Sequence, residues 1–524
     1  MYDSQRTSGD SLSAWSLPGS GLTSPNRPLE HADWPDGPLD VVVIGAGITG
    51  LSTAYHLLEA GRSVLVIDKG DIASGETSRT TAHVSSALDD KYFELEKMHG
   101  AAGARLAAES HAAAIASIEA IAQKEGIACE FTRVDGYLFR SPSSPKDVLE
   151  RELAAARRAG LEVELLERTP LPFEAGPALR FAQQAQFQPL SYVYGLAQAC
   201  LKKGGLIRTG VRVRQVDEGE LARIHVEGGG VLTARAVVVA TNTPIVDVFA
   251  MHTKQAAYRS YAIGVSVPRG SIERALYWDT ADPYHYVRLA DDDGLLIVGG
   301  EDHKVGQSKT PEQSWARLDA WTREHFPMAD QTRFRWSGQV WEPADGLAFI
   351  GRNPGRADNV FICTGDSGNG ITHGTIAGIL LSDLIVGRSN PWAHLYDPSR
   401  KLVRATAARE FVKENLNVAL QYGEFVLPGA ALASIEPGQG AVVRRGLHRV
   451  AVYVDDAGAR HECSAVCTHL GGPVNWNRAE KSWDCPCHGA RYDPYGRVLT
   501  GPAVRDLEPY DAATGKPADD RAAE

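Results

Sequence analysis

No stretch of the 524 residues stays apolar over a membrane-spanning length, and the first twenty lack both the basic start and the apolar core of a secretory leader. Neither a spanning protein nor an exported one is expected. An excess of basic charge is missing too: the net charge is −11, which argues against a nucleic-acid partner that would need a cationic face. Cysteine is sparse. Of the seven, Cys463, Cys467, Cys485 and Cys487 crowd into the C-terminal region, while Cys129, Cys200 and Cys363 stand alone. Lone thiols of that kind are more often small buried apolar side chains than ligands, so no disulfide scaffold is expected and the reading is a cytoplasmic protein. What is present is an ordinary globular composition, 43% apolar and 23% charged, at a length sufficient for two or three cores.

The most informative stretch is Cys467 to Tyr492, with its boxes Cys467-Thr468-His469 and Cys485-Pro486-Cys487-His488. Two thiolates and two imidazoles on paired tight loops suit a cluster in which one iron takes sulfur ligands and the other nitrogen. Zinc accepts the same ligand types, but zinc fingers keep the two Cys together and the two His together, whereas each box here carries one of each. The strings CTHLG and CPCHG resemble the Rieske [2Fe–2S] domain family. That resemblance implies that Cys467 and Cys485 hold one iron and that His469 and His488 hold the other, more solvent-facing one. Respiratory members of the family carry a second Cys after the first box, bridged to the Cys before the last His. Gly472 stands there instead, so Cys487 has no such partner, which suits a reducing compartment. Ala490 replaces a Ser that hydrogen-bonds the cluster in those members, while Tyr492, the other donor, is kept. Fewer hydrogen bonds to the sulfurs imply a reduction potential below the respiratory type.

Residues 1–37 mix Ser, Gly, Pro and acidic residues without sustained periodicity, and a mostly disordered lead-in is expected. From Asp40 the run DVVVI reads as a buried parallel strand. It is followed by Gly45-Ala46-Gly47-Ile48-Thr49-Gly50, a helical pattern to Gly61, and the strand SVLVID ending in Asp68. This strand, glycine turn, helix, strand and acid form the unit that binds a dinucleotide. Gly45, Gly47, Ile48, Thr49 and Gly50 would lie against the pyrophosphate, and Asp68, with Lys69 beside it, against a ribose. The small, hydroxylic segment from Lys69 to Ala82 resembles the loop with which the D-amino-acid oxidase, glycine oxidase and sarcosine oxidase superfamily covers FAD. The resemblance implies contacts from Thr80 and Thr81, the backbone of Val213 against the adenine, and Gly365, Gly370, Ile371 and Thr372 near the flavin pyrimidine. There the dipole of a helix N-terminus would stabilise the negative charge of reduced flavin. Relatives with covalent flavin carry a His where Arg79 stands, so FAD is expected without a covalent link, with His83 the nearby imidazole.

The expected fold is an α/β FAD-binding Rossmann-like domain with an inserted α+β substrate domain, followed by a small all-β Rieske domain. The boundaries are 1–37 for the lead-in, 38–398 for the FAD-dependent oxidoreductase domain, 399–427 for a helical linker, 428–513 for the Rieske domain and 514–524 for a tail. The substrate subdomain occupies about 85–190 and 255–335. Strand alternation places Tyr284, Tyr286 and Arg288 on one face and His285 on the other; the first face either lines a pocket or, as Tyr and Arg stripes more commonly do, stays wet. In several amino-acid oxidases an Arg clamps the substrate carboxylate where Gln339 stands, and without that cation the substrate reads as an amine. Val403, Ala407, Phe411, Leu416 and Leu420 form a helical stripe expected to pack on the FAD domain or to run as a free linker. The pairing of FAD with a [2Fe–2S] cluster implies a two-to-one electron converter: an oxidoreductase acting on an amine-type C–N bond and passing electrons to an external acceptor, a protein or a quinone. The alternatives are an NAD(P)H-fed reductase serving a partner oxygenase, for which no second glycine-rich strand, turn and helix is present, and a non-catalytic redox sensor. No catalytic acid or base is identified.

Overall fold

The computed structural model describes residues 8–16, 35, 37–246, 251–290, 294–355, 358–401, 405–423, 430, 432, 435–511 and 516–517. The β-branched runs of the dinucleotide half pair in parallel. Strand Leu39–Ile44 lies between Val64–Ile67 and Val231–Val239, with Leu206–Arg208 beyond the first neighbour and Val360–Thr364 beyond the second. Phe349–Arg352 closes the edge in antiparallel fashion. Val41, Val42 and Val43 are fully buried, as strands covered on both faces require. One face carries the helices Ile48–Glu59 and Gly370–Val386, which cross closely. The other packs on Val213, Val216, Ile224 and Met251.

The substrate half is a nine-stranded sheet that includes Thr132–Phe139, Ala178–Gln186, Gln255–Ser266, His285–Leu289, Leu295–Lys304 and Thr332–Pro343. It runs past the expected residue 335, because Thr332–Pro343 pairs along its whole length with Gln255–Ser266, from Gln255 opposite Pro343 to Val265 opposite Thr332. The Tyr284, Tyr286 and Arg288 face is not wet. Arg288 is fully buried, and its Nη1 donates to the carbonyls of Ala82 at 2.7 Å and Phe187 at 3.3 Å.

From Gln439 onward the described residues form strands and no helix. Strands Gln439–Arg445, His448–Val454 and Arg460–Ser464 form one antiparallel sheet, and Asn475–Asn477, Ser482–Asp484, Arg491–Tyr492 and Val498–Thr500 form a second. Trp483, Tyr492, Ala451 and Val474 fill the core between them.

Two further expectations change. Residues 8–16 of the expected disordered lead-in are packed: Trp15 is 4% exposed and its indole donates to the Thr80 carbonyl at 2.7 Å. The helix Ala405–Gln421 is held by Lys304 to Glu414, by Asn415 Nδ2 to the Thr253 carbonyl and by Val418 against the Rieske core. Leu416 and Leu420 of its expected buried stripe are instead 60% and 67% exposed. A helix anchored by polar groups along one side leaves the residues of the opposite side to solvent. Val403 lies outside the described residues. Among the described residues no helix is long and apolar enough to cross a membrane.

Candidate active site

Strand Leu39–Ile44 ends in a turn that only glycine can make. Gly45 has φ +115, and a Cβ there would lie 2.3 Å from the Ala240 carbonyl oxygen, while one on Gly50 would lie 1.8 Å from that of Gly45. The turn delivers the N-terminus of helix Ile48–Glu59 to a cavity of about 310 Å³, a size proper to small-molecule and cofactor sites. Gly45, Gly47, Ile48, Thr49, Asp68, Lys69, Thr80, Thr81, Val213, Gly370 and Ile371, all expected at the cofactor, line this cavity. Gly50, Gly365 and Thr372 do not. Gly50 packs the helix onto the turn, Gly365 turns the chain at φ +75, and the Thr372 hydroxyl is engaged by His111 Nδ1 at 2.8 Å and the Asn369 carbonyl at 3.1 Å.

The cavity fits a dinucleotide on several grounds. The N-termini of Ile48–Glu59 and Gly370–Val386 open into it side by side, so two helix dipoles favour anionic groups there. The Asp68 carboxylate accepts from the backbone N–H of Ala46 at 2.7 Å and of Gly70 at 2.8 Å, which fixes it at the cavity edge with lone pairs left for a ribose. His83 also faces the cavity, with Nδ1 at 3.1 Å from the Thr81 hydroxyl. Burial, and then Arg288, push its pKa down to about 3, so this imidazole is neutral.

The far end of the cavity is acidic and aromatic. Asp89, Tyr284, Tyr286, Trp278, Gln339 and Asp366 contribute to its wall. The Tyr284 hydroxyl donates to Asp89 Oδ2 at 2.8 Å, and Tyr286 shares a 2.8 Å hydrogen bond with Ser260. Burial lifts Asp89 and Asp366 to about 6 each. Behind this wall Asp90 and Glu342 both accept from the Ser367 hydroxyl, at 2.6 and 2.8 Å. Among the described lining residues the only Lys and Arg are Lys69, Arg79 and Arg212. Of these, Arg79 donates to the carbonyls of Gly9, Ser11 and Ser337 and the hydroxyl of Ser11.

The two Cys and His boxes fold into matching turns. Gly471 N–H donates to the Cys467 carbonyl at 3.0 Å and Gly489 N–H to that of Cys485 at 3.1 Å. This brings Cys467 and Cys485 together: the Cys467 thiol lies beside that of Cys485 and 3.1 Å from the Tyr492 hydroxyl. The His469 and His488 rings lie edge to face at 5.2 Å. Among the described residues no three or more His, Cys, Asp or Glu converge on a point suited to one metal ion. A two-iron cluster shares its four ligands between two metals, two thiols on one side and two imidazoles on the other, which is the division seen here. Gly472 packs directly on the thiols, since a Cβ there would fall 2.8 Å from Cys487 Sγ and 3.2 Å from Cys485 Sγ.

The imidazole end is the less buried of the two, His469 and His488 being half-buried where Cys467 and Cys485 are buried, and it is turned toward the oxidoreductase domain. His252, buried at 3% exposure in the segment that leaves the dinucleotide sheet, stacks edge-on against His469 at 4.9 Å and lies 6.2 Å from His488. Gln339 joins the two sites: it lines the cavity, and its side-chain amide donates at 2.9 Å to the carbonyl of Gly489, the residue after His488. Below this contact lies a fully buried ionic junction. Glu480, in the hairpin between the two boxes, faces Arg259 at 3.1 Å and Arg79 at 3.6 Å and accepts from Ser11 and Ser337, while Arg491 pairs with Asp484 at 2.9 Å. Sequence reasoning missed His252, Glu480 and the Ser8–Trp15 segment, none of which carries a local pattern. The adjacent Asp89-Asp90 pair was a visible signal that went unused.

Comparison with known proteins agrees with this architecture. The FAD dependent oxidoreductase family matches residues 40–384, and the Rieske [2Fe-2S] domain family matches residues 427–511. The chain is 30% identical over 494 residues to the Rieske 2Fe-2S iron-sulfur protein YhfW of Bacillus subtilis (strain 168), covering 93% of this chain and 96% of that one. It is 26% identical over 370 residues to gamma-glutamylputrescine oxidoreductase of Escherichia coli (strain K12), covering 66% and 84%. Glycine oxidase from Geobacillus kaustophilus shares the fold of the oxidoreductase part, with a TM-score of 0.59 at 19% identity over 70% of this chain and 99% of that one. The protein therefore belongs to the FAD dependent oxidoreductase family and carries, C-terminal to that domain, a Rieske domain that binds a [2Fe–2S] cluster.

Proposed function

We propose that the chain oxidises an amine-type substrate at FAD and passes the electrons through its Rieske cluster to an external acceptor, a protein or a quinone, in the cytoplasm. When bound, FAD supplies two-electron uptake from a C–N bond and the cluster one-electron transfer. Gly45, Gly47, Ile48, Thr49, Asp68, Lys69, Thr80, Thr81, Val213, Gly370 and Ile371 hold the first, with Gly50, Gly365 and Thr372 shaping the backbone behind them. Cys467, Cys485, His469 and His488 hold the second.

The observation that carries the relay is the Gln339 amide, which spans from the cavity wall to the Gly489 carbonyl beside His488. The amine reading rests on the far end of the cavity. Asp89 and Asp366 offer carboxylates to an ammonium group, Tyr284 and Tyr286 offer aromatic faces, and the side chain at the place of a carboxylate clamp is the neutral Gln339. With its carboxyl lifted to about 6, Asp89 is mostly ionised at neutral pH and can take up a proton as a bound ammonium becomes a neutral amine. Gamma-glutamylputrescine and glycine, named for two of the relatives, each contain a C–N bond. The reducing compartment is supported by Gly472, which leaves Cys487 without a bridging thiol in that loop.

The test is anaerobic bleaching of the flavin with a panel of amines and amino acids, followed by reduction of an added one-electron acceptor. Amines should bleach the flavin, and the Cys485→Ser protein should still be bleached but reduce the acceptor slowly. If Cys485→Ser matched the parent in acceptor reduction, the relay would be wrong. Bleaching by NADH or NADPH alone would favour reversed electron flow.

A further inference from the structure

The wall of the dinucleotide cavity is not completed by the oxidoreductase domain. Val498, Leu499, Thr500, Gly501, Ala503 and Val504, all from the Rieske domain, line it beside Asp68, Lys69, Arg212 and Val213. That is the end where a strand-terminal acid and its neighbours receive the ribose and adenine of a dinucleotide. Polar ties run from the oxidoreductase side onto this segment. Lys69 Nζ donates to the Leu499 carbonyl, Arg212 pairs with Asp506 at 3.0 Å and reaches the Val498 carbonyl at 3.4 Å, and Arg214 donates to the Val504 carbonyl. Asp506 also accepts from the Val498 N–H at 2.9 Å, so one carboxylate pins both ends of the segment to Arg212.

The same segment is braced from the cluster side. Strand Val498–Thr500 pairs with Arg491–Tyr492, and the Tyr492 hydroxyl contacts Cys467 Sγ and, at 3.1 Å, the Thr468 N–H. The Thr468 hydroxyl, inside the first Cys and His box, donates to the Arg505 carbonyl. One hairpin therefore has a cluster thiol at one strand and the dinucleotide cavity at the other.

We propose that residues 498–506 of the Rieske domain are a binding element for the adenosine half of FAD, a lid held shut by Arg212 and Arg214 and braced by the cluster boxes. FAD then cannot leave without this segment lifting, and its retention is a property of both domains. The claim concerns retention of the flavin and stands apart from which substrate reduces it.

The experiment uses the full-length holoprotein and measures FAD release on dilution, by the rise in flavin fluorescence, with the electron paramagnetic resonance of the reduced cluster as the check on an intact Rieske domain. Ala503→Phe, at a residue 3% exposed on the cavity wall, should fill the adenosine end and leave a protein with the cluster signal but little flavin. Asp506→Ala should release FAD about tenfold faster, the factor that loss of a charge-assisted contact supports, with the cluster signal unchanged. Should Ala503→Phe fail to fold and show neither chromophore, Asp506→Ala decides alone. Parent-like FAD release from Asp506→Ala with a full cluster signal overturns the proposal, as does parent-like flavin content in folded Ala503→Phe.

Discussion

Replacing Glu480 by Ala removes one of two buried carboxylates, leaving only Asp484, from a junction in which Arg79, Arg259 and Arg491 have side chains only 4%, 0% and 0% exposed. Burial alone would raise the Glu480 carboxyl, but Arg259, Arg79 and Arg491 outweigh it and hold the pKa at about 2 against an ordinary 4.5. A shift of that size corresponds to about 3 kcal/mol in favour of the folded state. Arg79 points the other way, since burial pushes it down to about 10, so the cation carries much of the desolvation cost. Both follow from one geometry: the intact network is nearly neutral in net stability, whereas taking away one partner leaves uncompensated buried charge and costs about 3–5 kcal/mol. The loss should appear as a lower denaturant midpoint of the transition that bleaches the cluster, at unchanged slope. Because the folded pKa lies below the unfolded one, the contribution is present above about pH 4.5 and fades as pH falls toward 2. A Glu480→Ala protein within about 0.5 kcal/mol of the parent, the range of an ordinary surface change, would refute this account of how the domains are locked.

His285 lies 3.0 Å from Asp279 and 3.7 Å from Glu301. Burial lowers its pKa, but these carboxylates raise it further, to about 9. Its contribution is full below the ordinary value of 6.5 and is lost as pH rises through 9. The parent should therefore lose up to about 3 kcal/mol more stability than His285→Asn across that window, and parallel pH profiles would show the pairing to be inert. Gly374→Val should yield a protein poor in flavin, because a Cβ there falls 2.8 Å from Thr49 Oγ1 and 2.9 Å from Ile48 Cγ2, where the two helix N-termini meet; a normal ratio of flavin to protein absorbance would count against the cavity as the FAD site. Acid precipitation should leave the flavin in the supernatant, since Arg79 is engaged by four oxygen atoms, and yellow pellets would point to a covalent link through His83.

The parts of the site legible in the sequence are those fixed by local chemistry. Gly45 and Gly50 are dictated by contacts within a few residues or with the adjacent strand, and the paired Cys and His boxes each close their own turn. Strand alternation put Tyr284, Tyr286 and Arg288 on one side but could not say whether that side was wet, because this depends on Ala82 and Phe187 arriving from elsewhere. The same reason hid Glu480, whose hydrogen-bond partner Ser11 is 469 positions away, and with it the order of residues 8–16. For the helix Ala405–Gln421 the apolar spacing left packing on the FAD domain and a free linker both open; contacts to Lys304 and Thr253 hold it against the oxidoreductase domain, and they leave Leu416 and Leu420 outside.

The account turns on electron passage between the FAD cavity and the cluster across Gln339. Rapid anaerobic mixing with an amine that bleaches the flavin, followed by freeze-quench electron paramagnetic resonance, tests this most directly. The reduced-cluster signal should grow in step with bleaching in the parent and lag in Gln339→Leu, which keeps the volume but loses the hydrogen bond to Gly489. Flavin fully bleached while the cluster stays oxidised throughout turnover would contradict it.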